Sequence, residues 1–237
     1  MVACSRNATS SNELNRLRSK YGTRLELCDL DVLAEDQVSA LFEQFSLAQY
    51  KFDDVYFTVG QAQDISYRFP LLETSREDYF NILKVNAYAA FNALRTALCA
   101  ESAVEISAFV FLSSTAALSS QCGHGPYNTS KLLLNGLMTN LASELKSKGS
   151  LTKVFGLDPW EARTRMNQSS DISSDHILPV IEAVTECKSW LRTGMIFSPD
   201  GNCVKFPGAE VLNKNLFKIY RDICSKELDY NREKFRV

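Results

Sequence analysis

The chain has 237 residues, 45% of them apolar and 23% charged, with a net charge of -2. These are the proportions of an ordinary globular protein, and the length fits one large domain spanning 1–237. The near-neutral charge gives no reason to expect nucleic acid or an anionic membrane as partner, and no stretch approaches the roughly 18 apolar residues of a membrane span.

In chain order, "MVACS" (1–5) reads as a strand and "SNELNRLRSKYG" as a helix, capped by Ser10 or Ser11 and stopped at Gly22. "RLELCDL" (24–30) alternates like a strand, and "EDQVSALFEQF" (35–45) has helical periodicity. "DVYFTVG" (54–60) is a short apolar run closed by glycine, as a buried parallel strand requires. A long helix follows over about 76–100, then the strand "AFVFLSS" (108–114) and a second long helix over about 126–148. "KVFGLDP" (153–159) is a strand ending in proline, "HILPVIEAVTECKSWL" contains a helix, and "GMIFSPDG" is the last strand. Residues 209–228 read as an amphipathic helix within a C-terminal tail, 209–237. Strands alternating with helices predict βαβ units: an α/β fold with a doubly wound, Rossmann-like parallel sheet and ligands at the carboxyl ends of the strands.

Seven scattered cysteines, odd in number and never in a C-x-x-C pair, argue against a disulfide framework and a zinc site. They read as small buried thiols in a reducing compartment. Two histidines, His124 and His176, leave no basis for a metal centre. The N-terminus lacks an apolar signal-peptide region, so the expectation is a cytoplasmic protein.

The chemistry centres on "GPYNTSK" at 125–131. Tyr127 and Lys131 are one helical turn apart at a predicted helix start, so they share a face. An ammonium held there favours the ionised phenol, and such a phenol can pass a proton near neutral pH. The spacing alone is weak evidence, because Tyr230 and Lys234 repeat it. Ser114 ends a predicted strand thirteen residues before Tyr127, whereas Phe217 stands thirteen before Tyr230. Asn86 interrupts an alanine-rich helical stretch upstream. The array of Asn86, Ser114, Tyr127 and Lys131 therefore singles out Tyr127, and 230/234 reads as a surface pair.

From Val2 to about Lys205 these residues resemble the short-chain dehydrogenase/reductase family. Its Y-x-x-x-K resembles Tyr127 and Lys131, its serine Ser114 and its helix asparagine Asn86. The P-G-x-x-x-T after a strand resembles Pro159 to Thr164, with Trp160 at the glycine. "CDLD" resembles the family's adenine-contacting aspartate at Asp29, beside Leu30. "FTVG", ending in Gly60, stands where N-N-A-G is usual. Arg6, after the first strand, stands where the family selects its cofactor; an arginine there suits the 2′-phosphate of NADP over NAD.

The resemblance implies hydride transfer between a nicotinamide and a small carbonyl or alcohol. Tyr127 serves as general acid or base, Lys131 supports it and holds the ribose, Ser114 steadies the substrate oxygen, and Asn86 anchors a water for proton relay. It also implies a homodimer or homotetramer paired through the 76–100 and 126–148 helices, since Leu132, Leu133, Leu134, Leu137, Met138 and Leu141 surround the second of them.

One family element has no counterpart. No glycine-rich phosphate turn is present, and the chain opens at what resembles the family's second strand, so about 30 residues of a βαβ unit are expected to be missing. That loss should leave two strands unpaired or re-paired. The alternative function is accordingly a catalytically degenerate relative that serves as a binding or scaffold subunit.

Overall fold

A computed structural model describes residues 1–62, 71–99, 104–120, 122–164 and 167–223. Ala100, Tyr230, Lys234, the start of the loop after Thr164 and the tail from 224 onward lie outside the described residues. Contacts gather the chain into two compact units, Met1–Lys51 with Tyr88–Glu105, and Phe52–Ala87 with Ile106 onward.

In the first unit β1 (Val2–Ser5) pairs in parallel with β2 (Glu26–Asp29), in register from Val2↔Glu26 to Ser5↔Asp29. Between them α1 (Asn12–Tyr21) starts at Ser11, whose hydroxyl accepts the Leu14 N–H, and ends at Gly22 with φ 60°. That positive φ is the conformation glycine adopts most readily. α1 buries none of its residues. α2 (Glu35–Leu47) packs on α4 (Ala89–Cys99) through Val38 and Phe45 on one side and Ala89, Ala90, Leu94 and Ala97 on the other helix's buried face.

The second unit holds a four-stranded sheet in the order β3 (Lys51–Phe57), β4 (Glu105–Leu112), β5 (Lys153–Leu157), β6 (Met195–Phe197). β4–β5 and β5–β6 are parallel. Alternate residues of β5 face opposite layers, as the strand period of two dictates. Phe155 and Leu157 join a core with Val180, Ala183 and Val184 of α6 (Leu178–Cys187). Gly156 lies against α5 (Gly125–Ser147), where an added Cβ would stand 2.9 Å from Met138 Sδ. A sheet covered on both faces explains the unbroken apolar run Ala108–Phe111 in β4. Among the described residues β1 and β3 are each the edge of their own sheet.

Several elements differ from the sequence reading, for local reasons. β3 begins three residues earlier and stops at Phe57, leaving Thr58–Gly60 as loop; as an edge strand it exposes alternate residues, so "KFDD" does not look apolar. The first long helix is α3 (Arg76–Leu83) running through a π turn at Lys84–Tyr88 into α4. In the last helical region residues 209–215 form loop and helix begins at 216, where the Asn215 side chain accepts the Phe217 N–H. The expectation that α5 is apolar all round for an interface holds for only part of its surface. Leu132 and Leu133 are half exposed, whereas Leu134 and Met138 are 0% exposed and belong to the core of this unit.

Candidate active site

The carboxyl ends of β4 and β5 and the first turn of α5 enclose a cleft of about 290 Å³. Ser114, Tyr127, Lys131, Gly60, Pro159 and Thr164 all line it. Ser114 has extended backbone, and its hydroxyl accepts the Ala116 N–H at 3.2 Å, capping a short 3₁₀ turn, Thr115–Ala117. The Tyr127 phenol and this hydroxyl line the same cleft. Pro126 lies in the first turn of α5, where its missing N–H costs nothing, and so fixes where Tyr127 enters.

Lys131 is 3% exposed, with Nζ 5.7 Å from the centre of the Tyr127 ring. Nζ donates to the Leu112 carbonyl at 2.9 Å. An ammonium has three donors, and this is the one acceptor that the described residues give it. Burial brings the Lys131 ammonium down to about 8, with Asp158 pulling the other way. Burial also pushes the Tyr127 phenol up, and the charge of Asp158 adds to that, while the Ser114 hydroxyl opposes it. The sequence reading has the ammonium lowering the phenol; in this structure desolvation of the phenol wins, with Lys131 turned to a backbone carbonyl.

Asn86 is fully buried in the π turn, a feature common at functional sites. Its Nδ2 donates to the Gln61 carbonyl and to Ser130 Oγ, both at 2.8 Å, and Oδ1 accepts the Gln61 N–H at 2.7 Å. Ser130 Oγ in turn donates to the Tyr127 carbonyl at 2.7 Å. Asn86 thus braces the loop after β3 against the turn of α5 that carries Tyr127, with both amide N–H groups committed.

Arg6, Asp29 and Leu30 belong to the other unit, at the ends of β1 and β2. Arg6 is exposed. The Asp29 carboxylate accepts the Thr9 N–H at 2.8 Å and the Thr9 hydroxyl, bonds that hold its carboxyl below the usual range. Leu30 is buried and its N–H donates to the Ser5 carbonyl at 2.9 Å.

Sequence reading passed over Asp158, which is 2% exposed at the end of β5, and the Ser113–Asn135 hydrogen bond of 2.6 Å beneath Ser114. A charged residue closing the apolar run "VFGLD" was the available signal for Asp158. Trp160 lines the cleft with φ 55°, a left-handed backbone that favours glycine, and its indole lies tilted 6.2 Å from His176. Among the described residues no cluster of metal-ligating side chains occurs and no helix is long and apolar enough to cross a membrane.

The donor set fits the nicotinamide end of a dinucleotide. A buried ammonium with spare donors, a phenol and a serine hydroxyl share one cleft, and Lys131 and Thr164 would hold the group there.

The chain matches the family model described as enoyl-(acyl carrier protein) reductase over residues 1–193. No curated protein matches it. Among solved structures it is similar to a Burkholderia multivorans protein described as a short-chain dehydrogenase/reductase with bound NADP, at TM-score 0.75 and 19% identity, covering 86% of this chain and 87% of that one. It is also similar to a carbonyl reductase from Pseudomonas aeruginosa, at TM-score 0.71 and 19% identity over 86% and 88% of the two chains. A short-chain dehydrogenase from Mycobacterium smegmatis gives TM-score 0.68 and 19% identity over 84% and 80%.

Proposed function

The chain belongs to the short-chain dehydrogenase/reductase family of oxidoreductases, and from that premise we propose that it is NADP-dependent and acts on a small carbonyl or alcohol. The observation that carries the reading is the junction of Ser114, Tyr127 and Lys131 in one cleft. NADP, when bound, supplies or accepts the hydride.

In carbonyl reduction the Tyr127 hydroxyl gives its proton to the substrate oxygen; in alcohol oxidation the same oxygen takes it back. Ser114 donates to the substrate oxygen and steadies the charge that develops on it. A phenol pushed up by burial stays protonated at neutral pH and is a stronger base once ionised. The buried Lys131 ammonium compensates a phenolate when one forms and offers its free donors to the ribose. Asn86 fixes the Tyr127 turn through Ser130; a water on the remaining lone pair of Oδ1 would complete a relay to Lys131.

We also infer a twofold dimer or tetramer that covers Leu132 and Leu133 of α5. A cytoplasmic location accords with the exposed free thiols of Cys4 and Cys122.

Tyr127→Phe tests the function. It keeps the ring and removes the proton, so NADPH-dependent carbonyl reduction should fall about 10²- to 10⁴-fold. The rise in melting temperature caused by NADPH should stay as in the wild type. Undiminished reduction in the variant overturns the assignment, and a wild-type chain inert toward a panel of aldehydes and ketones but stabilised by NADPH favours the binding-subunit alternative.

A further inference from the structure

Asp158 occupies the point where three strands end. Its N–H donates to the Phe197 carbonyl of β6 at 2.8 Å. Its Oδ1 accepts the Trp160 N–H at 3.0 Å and the Thr115 hydroxyl at 3.4 Å. One side chain therefore grips the segment leaving β4, which carries Ser114, and the segment leaving β5, which carries Pro159 and Trp160. Trp160 sits in a left-handed backbone region that favours glycine, and its N–H donates to Asp158.

A turn of this kind needs only a short acceptor, which asparagine supplies without a charge. Burying a carboxylate at 2% exposure is costly, so the charge calls for its own explanation. Lys131 is a buried cation that feels that charge, as does Tyr127. We propose that Asp158 is a positioning residue for hydride transfer: its carboxylate clasps the Ser114–Thr115 and Pro159–Trp160 segments around the reacting position and balances the buried charge of Lys131. The inference rests on the catalytic reading of Tyr127 and Lys131.

The charge acts on both groups in one direction. A nearby anion makes the phenol and the ammonium hold their protons to higher pH, so removing it makes both release protons at lower pH. The other titratable side chains around the cleft are His124 and Glu161 in its lining and His176 behind Trp160. They are the same in the wild type and in the variants, so the difference between profiles isolates Asp158.

Asp158→Asn keeps an acceptor for the clasp and deletes the charge. Its melting temperature at neutral pH should stay near that of the wild type, while the pH profile of carbonyl reduction moves down by on the order of one unit. Asp158→Ala loses the acceptor as well, so turnover should fall tenfold or more and the melting temperature should drop. Thr115→Val removes one arm of the clasp and keeps the charge; turnover should fall severalfold with the profile unmoved. A readout free of turnover accompanies these. The alkaline gain in stability that comes from deprotonating Lys131 should begin at lower pH in Asp158→Asn. Coincident pH profiles and coincident stability curves for wild type and Asp158→Asn overturn the charge role, and wild-type turnover in Thr115→Val overturns the clasp. If Tyr127→Phe is inactive in the same assays, those results sink the inference alone; if it is active, the catalytic reading has failed instead.

Discussion

Asn86, Lys131 and Asp158 are each 3% exposed or less, and each is bonded to backbone that carries another residue of the cleft. At the ends of β1 and β2, Arg6 and Asp29 are exposed, and Asp29 accepts from Thr9. The two regions follow different rules. A buried polar group must be satisfied, so the residues of the second unit form one coupled network in which a substitution is felt by several partners. Exposed groups act singly and weakly, and their effects add. The first unit is also the lighter build, with a two-stranded sheet and a helix that buries nothing, a size of sheet that is marginal alone.

The largest expected effect is on the core of the second unit. Met138→Asp puts a carboxylate where the native side chain is 0% exposed and touches the β5 glycine, so it should cost more than about 4 kcal/mol and abolish cooperative thermal unfolding by circular dichroism. Leu133→Asp, five residues earlier on the half-exposed side, should leave the fold intact within about 1 kcal/mol. It should nevertheless lower the mass measured by light scattering if that side is the subunit interface. A wild-type mass at the 26.6 kDa of one chain at micromolar concentration removes the interface proposal.

Next in size is the cost of burying Lys131. Its ammonium is brought from 10.5 to about 8. Between those values the unfolded chain holds a proton that the folded chain has released, so stability rises with pH across that window, by on the order of 3 kcal/mol at most. Below about 8 the full penalty is present. Lys131→Met should show no such rise between pH 8 and 10.5; near neutral pH its relief of the penalty is offset by the loss of the Leu112 hydrogen bond and of the charge that balances Asp158. Parallel curves of melting temperature against pH for the two proteins would show that the buried ammonium carries no such penalty.

How much of this was legible before the structure follows the same division. The alternation of strands and helices, the position of Tyr127 at the start of α5 and Ser114 at the end of β4 were all readable, because strand ends and helix starts have local signals. The π turn at Asn86 was not, since one extra residue shifts the apolar pattern by a single position, which an alanine-rich stretch does not reveal. Asp158 was hidden for a different reason: whether a charge at a strand end is buried depends on what two distant segments, Thr115 and Trp160, place over it. Trp160 itself was visible as a departure from glycine, but its left-handed backbone was not. The leucines of α5 showed that the helix was apolar, and only packing could separate Met138, under β5, from Leu133.

The smallest effect expected lies in the first unit, and it tests whether that unit contributes to binding at all. Arg6 is a single exposed cation at the end of β1, so its attraction for a 2′-phosphate is screened by solvent and salt. NADPH should raise the melting temperature more than NADH at equal concentration, with a preference corresponding to about tenfold in affinity, or about 1.4 kcal/mol. Arg6→Asp should erase that preference or reverse it, since an acidic residue there accepts the ribose hydroxyls and repels the phosphate. High salt should weaken the wild-type preference in the same direction. Because Arg6 is exposed, the variant should unfold at the wild-type temperature without nucleotide. A wild-type chain that is stabilised equally by NADPH and NADH would leave Arg6 as a solvated strand-end residue and withdraw the NADP proposal.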